Sequence, residues 1–511
     1  MNIQKVKNKV LREGTQRNIQ WWGWIMLTLV FFFGLAGRLY DLDDLPLDFH
    51  PTRQFHSMLI ARGMYYENLT DVPEWKQKLA VSQWKSEGEI EPPIMERLSA
   101  IGYRLIGSDD LRIPRLLSIF FWTFGGVGLL ILMRDLVGFN GAVVGLAYYM
   151  LLPFALYASR SFQPESLMTA AIIWSWWGVT RWKKNPRWIN ALIAGLLTGF
   201  AIFVKLPAAF FVAPAFIAAV LSDRKLRQVI RDPQVWLMGL LAVLPALVYH
   251  INGLYISGFL QGQTSFRFFP NLLIDPAHYL HWKDFIAKTL GIELFLISVF
   301  GALLIKEKPY RLMFFSVFIG YLLYGLFFSY HIVSHTYYQV PLTPGVAIGL
   351  AAAAGVLVDN LRGNKAVSKI VLGGLLVFWM AINFWDTRMT LKHADYKDVP
   401  AFYEMLGEKV RDYTVIAITP NYNYRLSYWG WKQSIFWKST SDINLRDLAG
   451  VEVDRKAEFA KAVRKADLFL VTDFEEFNRQ VDVKTMLEEE YPVFDSGDGY
   501  IIYDVRRTTL P

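Results

Sequence analysis

Four stretches of this 511-residue chain carry side chains whose type and spacing suit chemistry on a phosphate and a hydroxyl. Asp48, His50 and Arg53 fall within six residues of one another. A carboxylate or an imidazole can take a proton from a hydroxyl, and an arginine beside it can hold a phosphate. Asp48 also stands where it would cap a helix that starts near Thr52. Next come Ser159-Arg160 and Pro164-Glu165. Proline suits a first helical turn, so Glu165 sits at a positive helix end and serves either that dipole or a reaction. Arg160 can pair with Glu165 or with a ligand anion. Lys205 is flanked by Val204 and Leu206 within a long apolar stretch. A lone lysine there either snorkels to water or meets an anion. Finally His335, Tyr337, Tyr338 and Gln339 gather just ahead of another apolar run.

These groups have to be held by something, and the composition says what. The chain is 53% hydrophobic and only 19% charged, where a soluble domain carries about 25% charge. Its apolar runs reach the ~20 residues that cross a bilayer as a helix. One runs over 21–37, and ten more lie near 114–133, 139–157, 165–181, 188–204, 206–222, 234–250, 288–305, 312–330, 340–358 and 367–385. Segment 21–37 reads as an uncleaved anchor. Gly345 and Gly349, followed by Ala351 to Ala354, favour close helix packing in the tenth span.

The charges then sort by side. Lys5, Lys7, Lys9, Arg12 and Arg17 precede the first span, and further basic loops lie at 181–187, 223–227, 306–311 and 362–365. Taken as cytoplasmic, they form a positive-inside pattern. All eight histidines, from His50 to His393, then fall on the outer side with the candidate residues. The net charge of +8 is thereby a topology signal. No basic helix or aromatic platform accompanies it, so nucleic acid is excluded as a partner.

Three outer segments are long. Loop 38–113, of roughly 75 residues, exceeds a structureless connector. It holds helical patterns at 52–67 and 93–106 that read as helices lying in the interface, the first with Phe55, Leu59 and Tyr66 on one face and Arg53, His56 and Ser57 on the other. Loop 252–287 is rich in aromatics. From about 387 to 511, apolar strands at 414–419 and 467–472, helical patterns at 400–411, 455–465 and 475–490, and two strands around Gly497-Asp498-Gly499 point to a small α/β domain. The expected fold is therefore mostly α: a polytopic membrane protein of about eleven transmembrane helices over 1–386, with an extracytoplasmic α/β domain over 387–511.

Several chemistries drop out. With no cysteine there are no disulfides, zinc thiolates or thiol nucleophiles. No P-loop, dinucleotide fingerprint, H-E-x-x-H or nucleophile elbow is present. No span carries the paired midplane charges or matched interruptions of a secondary transporter. Asp41 and Asp43 match a D-x-D metal pattern, but acids solvated near a lipid surface have that spacing too.

The order of these features resembles the GT-C class of membrane glycosyltransferases, in particular the bacterial aminoarabinose-transferase and protein O-mannosyltransferase-like group. The resemblance covers roughly 20–360: one span, a long outer loop with an acid and an Arg-bearing helix, then Glu91-Pro92-Pro93. A turn at 107–115, Ser159-Arg160, Pro164-Glu165, Lys205 and the 335–344 segment follow. It implies a sugar carried on a polyprenyl phosphate and moved to a hydroxyl acceptor (glycan, lipid or protein) at the extracytoplasmic face of the cytoplasmic membrane. Carried over by position, Asp48 becomes the first-loop catalytic acid, Glu165 the second acid and Lys205 the donor-phosphate lysine. Where many relatives carry Asp-Glu this chain has His50-Pro51, so His50 shares the catalytic candidacy. Glu91 stands where the aminoarabinose transferases carry lysine, which argues against that substrate pair.

The expected mechanism is a single inverting displacement, with Lys205, Arg53 and Arg160 on the donor phosphate and His335 and Tyr338 on substrate. No nucleotide is required. A divalent metal stays open, since Asp48, His50 and Glu165 have the chemistry to ligate one. The alternatives are a flippase or transporter of lipid-linked glycans, and a polymerase or ligase that uses an oligosaccharide donor.

Overall fold

A computed structural model describes residues 23–261, 267–360, 365–393, 396–451 and 453–506. The basic segment 1–19 and most of the basic loop at 362–365 lie outside the described residues.

The first apolar helix, α1 (Gly23–Leu39), leads into the long outer loop. There the chain folds into α2 (Pro51–Tyr66), α3 (Glu74–Ser86) and α4 (Ile94–Ile106). Proline opens α2, as its fixed φ favours. The helix expected to lie half-wet in the interface is instead buried from Gln54 through Tyr65. α3, which has no clear apolar stripe, covers one side of it, α4 a second and the C-terminal segment a third. Its polar side is matched by protein groups: Ser57 donates to Glu96 at 2.6 Å and His56 meets Glu87 at 2.7 Å.

The helical body continues with α5 (Arg112–Val137), α6 (Phe139–Leu151), α7 (Pro153–Ala158), α8 (Glu165–Lys184), α9 (Trp188–Val204) and, after a 3-10 turn at Leu206–Ala208, α10 (Ala209–Leu221). Helices at Pro233–Ile251, Pro276–Leu290, Ile292–Leu303, Lys308–Phe327, Thr343–Asn360 and Lys365–His393 complete it. Among the described residues, five helices are long and apolar enough to cross a membrane, and a sixth candidate is a pair bent by 89° at Gly291. Four shorter apolar helices accompany them. The eleven apolar runs do not map one-to-one onto long straight helices, for local reasons. Pro153 splits the run expected at 139–157, and Gly291 bends the one expected at 288–305. Arg181, Lys183 and Lys184 charge the end of α8. The expected close packing is present: a Cβ on Gly349 would stand 2.1 Å from the Ser298 carbonyl oxygen, so Ile292–Leu303 and Thr343–Asn360 meet backbone to backbone.

The C-terminal part is α/β. Strands β1 (Val415–Ile418), β2 (Ile435–Phe436), β3 (Leu468–Val471), β4 (Val493–Gly497) and β5 (Tyr500–Asp504) form one sheet in the order β2-β1-β3-β5-β4. β1 pairs parallel with β2 and β3, and β5 runs antiparallel to β3 and β4. The central β1 and β3 are apolar at every position because both faces are covered. Val415, Ala417, Leu468 and Leu470 join the same apolar cluster as the membrane body, while Ile416, Ile418, Phe469 and Val471 pack into a second cluster on the far face.

The sheet domain is fastened to α2. Arg62 donates to the carbonyl oxygens of Tyr428 (2.6 Å) and Ser427 (3.1 Å) and to Gln83 (2.8 Å), while its guanidinium stacks on Tyr428 and Trp431. Phe55 adds an edge contact to Trp429 at 5.1 Å between centroids. Arg62→Ala strands the buried Tyr428 carbonyl oxygen, while Ser427 keeps its bond from Gln83 at 2.9 Å, and it removes both stacking contacts, at a cost of roughly 3 kcal/mol. A lowered thermal midpoint in detergent, with faster proteolytic release of the sheet domain, is the expected result. An unchanged midpoint would show that this clamp does not hold the two parts together.

Candidate functional site

Four segments from distant parts of the chain meet at one end of the helical body. The first is the entry to α2. His50, its N-cap, has φ 43°, a left-handed conformation in which few side chains rest comfortably. That turn points Arg53 inward from the first helical turn. The second is the stretch 87–93, which ends in Pro92-Pro93 ahead of α4. The third is the start of α8, where Glu165 occupies the first turn and is 2% exposed. The fourth is the extended link at Lys205 between α9 and the 3-10 turn.

At their junction, Glu91 Oε1 accepts from Arg53 Nη2 at 2.8 Å and from Lys205 Nζ at 2.9 Å. Lys205 also donates to Glu165 Oε1 at 2.5 Å and lies 5.5 Å from the Tyr337 ring. Two cations and two carboxylates thus form one neutral network with very little exposure. Burial alone would raise the Glu91 carboxyl, but Arg53 and Lys205 outweigh it and hold Glu91 well below the usual carboxylate range. Among the described residues, two buried atoms of the network, Glu165 Oε2 and Arg53 Nε, have no hydrogen-bond partner.

Beside the network lies a cavity of about 320 Å³, lined by Arg53, His56, Glu87, Glu89, Glu91 and Glu96 with Trp84 and Phe259. Glu87 is held by His56 and by the Tyr424 hydroxyl at 2.8 Å, so the sheet domain reaches the cavity wall. Burial raises the Glu96 carboxyl.

A third group is aromatic and imidazole-rich. His50 Nε2 is 2.8 Å from Thr336 Oγ1, and the ring stacks toward His335 at 6.0 Å and meets the edge of Tyr337 at 4.8 Å. His335 stacks on His331 at 5.6 Å, and Tyr338 stacks on both His331 and Tyr324. Gln339 anchors the segment by accepting from Tyr321 and donating to the Ile332 carbonyl. Burial, with Arg53 nearby, lowers His50 to about 4. Burial, with His50 and Arg53, lowers His335 to about 4. Both rings are therefore neutral at physiological pH.

Of the residues singled out from sequence, Arg53, Glu165 and Lys205 come together, and His50 and His335 border them through Tyr337. Asp48 and Arg160 face elsewhere. Asp48 Oδ1 is 3.5 Å from Arg115, which also donates to the Leu42 and Leu45 carbonyls. Arg160 donates to the Tyr40 and Asp41 carbonyls. Of the two partners open to it, Glu165 and a ligand anion, it does not pair with Glu165; it clamps the loop backbone. Asp43 is an exposed partner of Arg112. Among the described residues, no three His, Asp or Glu are gathered as a metal site, so Asp48, His50 and Glu165 do not form a ligand set. Sequence reasoning read Glu91 only as a departure from the aminoarabinose transferases and gave it no place in the site, although an acid immediately before Pro-Pro in the long loop was its available signal.

Comparison with known proteins agrees with this architecture. Residues 90–251 match the family model described as dolichyl-phosphate-mannose-protein mannosyltransferase. The chain is similar in structure to ArnT from Cupriavidus metallidurans in the apo state, with TM-score 0.58 and 13% identity over 96% of this chain and 98% of that one. It is also similar to ArnT bound to undecaprenyl phosphate (TM-score 0.57, 14% identity, 95% and 98% covered). The oligosaccharyltransferase AglB from Archaeoglobus fulgidus, in complex with an inhibitory peptide and a dolichol-phosphate, matches at TM-score 0.58 and 13% identity, over 96% of this chain and 75% of that one. No curated protein matches in sequence. The resemblance to the GT-C class read from the motifs holds, and at these identities the structural likeness establishes the fold.

The neutral histidines have a pH consequence. An unfolded histidine takes up its proton below about pH 6.5, while folded His50 and His335 resist until about 4. The unfolded state therefore binds more protons across that window, and stability falls as pH drops from 6.5 toward 4. The thermal midpoint in detergent is expected to decline over this range, and the decline to be shallower in His50→Asn/His335→Gln. Equal slopes in the two proteins would contradict the burial of neutral rings.

Proposed function

We propose that the chain is a glycosyltransferase that moves a sugar from a polyprenyl-phosphate donor to a hydroxyl acceptor at the extracytoplasmic membrane face, by a single inverting displacement. The observation that carries the reading is the convergence of Arg53 and Lys205 on one point beside a cavity walled by carboxylates. Two cations at one point suit a phosphate, and a wall of hydrogen-bond acceptors suits a sugar's hydroxyls. The neighbours' lipid phosphates, undecaprenyl phosphate in ArnT and dolichol-phosphate in AglB, are in keeping with such a donor.

In this reading the donor phosphate lies between Arg53 and Lys205, with its polyprenyl tail along the apolar helices. The acceptor hydroxyl attacks the anomeric carbon from the side opposite the phosphate. The carbon–oxygen bond to the phosphate breaks, and its electron pair leaves with the polyprenyl phosphate. Arg53 and Lys205 stabilise the charge that develops there. Glu165, at the α8 N-terminus, positions Lys205. The proton of the acceptor hydroxyl passes to a base in the first loop. His50 is favoured for that role over Asp48, because it is neutral and borders Tyr337, whereas Asp48 pairs with Arg115. His335 and Tyr338 line the substrate side, and Arg160 orders the loop.

The inner-membrane location, and the outward face of site and sheet domain, rest on the positive-inside distribution of the basic loops. The contacts of Tyr424 with Glu87 and of Arg62 with Tyr428 support the site and the sheet domain sharing a face.

The direct test incubates purified full-length protein in detergent with radiolabelled polyprenyl-phosphate monosaccharides and envelope glycan, lipid or peptide acceptors. Acceptor-dependent release of polyprenyl phosphate is expected. Donor that only crosses a vesicle bilayer unchanged would overturn the reading in favour of a flippase, and turnover only with an oligosaccharide donor would favour a polymerase or ligase. Lys205→Ala should lower turnover about 100-fold or more, the scale of losing one preorganised charge contact. His50→Asn should abolish proton transfer while donor binding persists. Loss of transfer in Asp48→Asn, with full transfer in His50→Asn, would return the base to Asp48.

A further inference from the structure

Glu91 is placed where a ligand is wanted. One of its oxygens takes hydrogen bonds from two cations that belong to different parts of the fold, at 2.8 and 2.9 Å. That is the arrangement one phosphate oxygen would adopt between the same two groups. The charges matter as much as the geometry. Arg53, Lys205, Glu91 and Glu165 already sum to zero in a site with little water. A sugar phosphodiester bearing one negative charge cannot simply be added, because an unmatched buried charge costs several kcal/mol. Removing one carboxylate restores the balance.

Resting on the donor-phosphate reading above, we infer that Glu91 is a resident stand-in for the donor phosphate, exchanged for it on Arg53 and Lys205 when the lipid-linked sugar binds. Glu91 is the carboxylate free to leave. Glu165 is fixed in the first turn of α8, where the helix dipole favours it, and is almost wholly buried. Glu91 sits in a non-helical stretch and already lines the open cavity. Pro92 and Pro93 stiffen the chain on its C-terminal side and Glu87 is held by His56 and Tyr424 on the other, so the exchange moves the side chain and residues 88–91, leaving α4 in place. Within the cavity Glu87 and Glu96 have their own donors in His56, Tyr424 and Ser57, so neither competes for the vacated cations. After transfer the leaving lipid is a phosphate monoester of higher charge. It overfills the site with negative charge, and the return of Glu91 to Arg53 and Lys205 assists its release.

The test is equilibrium binding of a polyprenyl monophosphate to the full-length protein in detergent. Wild type binds against the competition of Glu91, so Glu91→Gln should bind about tenfold more tightly, equivalent to ~1.4 kcal/mol. Glu91→Asp, a methylene shorter and unable to span both cations, should be tightened less, and it carries the test if Glu91→Gln does not fold. Weaker or equal binding in both variants would make Glu91 a scaffold for the cations and overturn the exchange. Lys205→Ala, measured in parallel, separates the two failures. If it does not weaken binding, the phosphate reading itself falls; if it weakens binding while the Glu91 variants stay at or below wild type, only the exchange falls.

Discussion

A charge carried to the edge of a hydrocarbon slab must be matched, and the whole of this site is organised by that requirement. Arg53 and Lys205 cannot stand bare beside apolar helices, since an unpaired ion there loses most of its hydration. Glu91 and Glu165 neutralise them in the resting protein. The left-handed turn at His50, the Pro-Pro stop after Glu91, the helix start at Glu165 and the extended link at Lys205 each deliver one member of the quartet. None of the four segments has another at hand by sequence proximity, so the network exists only when the body is assembled. The same requirement explains the histidines, which enter the interior as neutral rings and pack edge-on or tilted against Tyr337 and Tyr338 rather than adding more charge.

A second group of cations solves the problem differently. Arg38, Arg115, Arg160 and Arg62 are all nearly inaccessible, yet each directs its guanidinium at main-chain carbonyl oxygens. Arg38 reaches the Met150 and Gly34 carbonyls, Arg115 and Arg160 hold the loop that follows α1, and Arg62 holds the sheet domain. Arginine suits this work because its planar fork supplies several donors in fixed directions and remains charged. Arg38 ties two helices together, and the other three fasten loop and helix-end backbone, all from buried positions. That accounts for their burial without giving them a part in the reaction.

How much of this was legible in the chain itself depended on range. The apolar runs, the strands around 415 and 468 and the hairpin at Gly497-Asp498-Gly499 are local patterns, and they appear where periodicity and turn chemistry put them. The breaks at Pro153 and Gly291 were also written locally, but a hydropathy average passes over a single residue. The burial of α2 was not legible, because what covers it comes from α3, whose stripe is weak, and from residues near 428. Lys205 and Glu165 could be picked out as ionisable residues at the ends of apolar runs. Glu91 was marked by its place before Pro92-Pro93, but its pairing was not legible, since only the folded chain brings Arg53 and Lys205 to one oxygen. Asp48 and Arg160 show the converse: nearness in sequence to a candidate motif does not say which way a side chain turns.

The attachment of α2 to the sheet domain bears on how the protein is made. Arg62 takes its backbone partners from residues 427 and 428, more than 360 positions later in the chain. The helix that carries Arg53 is therefore made long before the segment that seals it has been synthesised. Until then Arg62 and Phe55 lack the partners that residues 427–429 supply. Insertion of the body and maturation of the site are thus separate events in time. The helix that carries Arg53 is fully covered only when the last hundred or so residues have been made and folded, so the site is completed at the end of synthesis and not with the helical body.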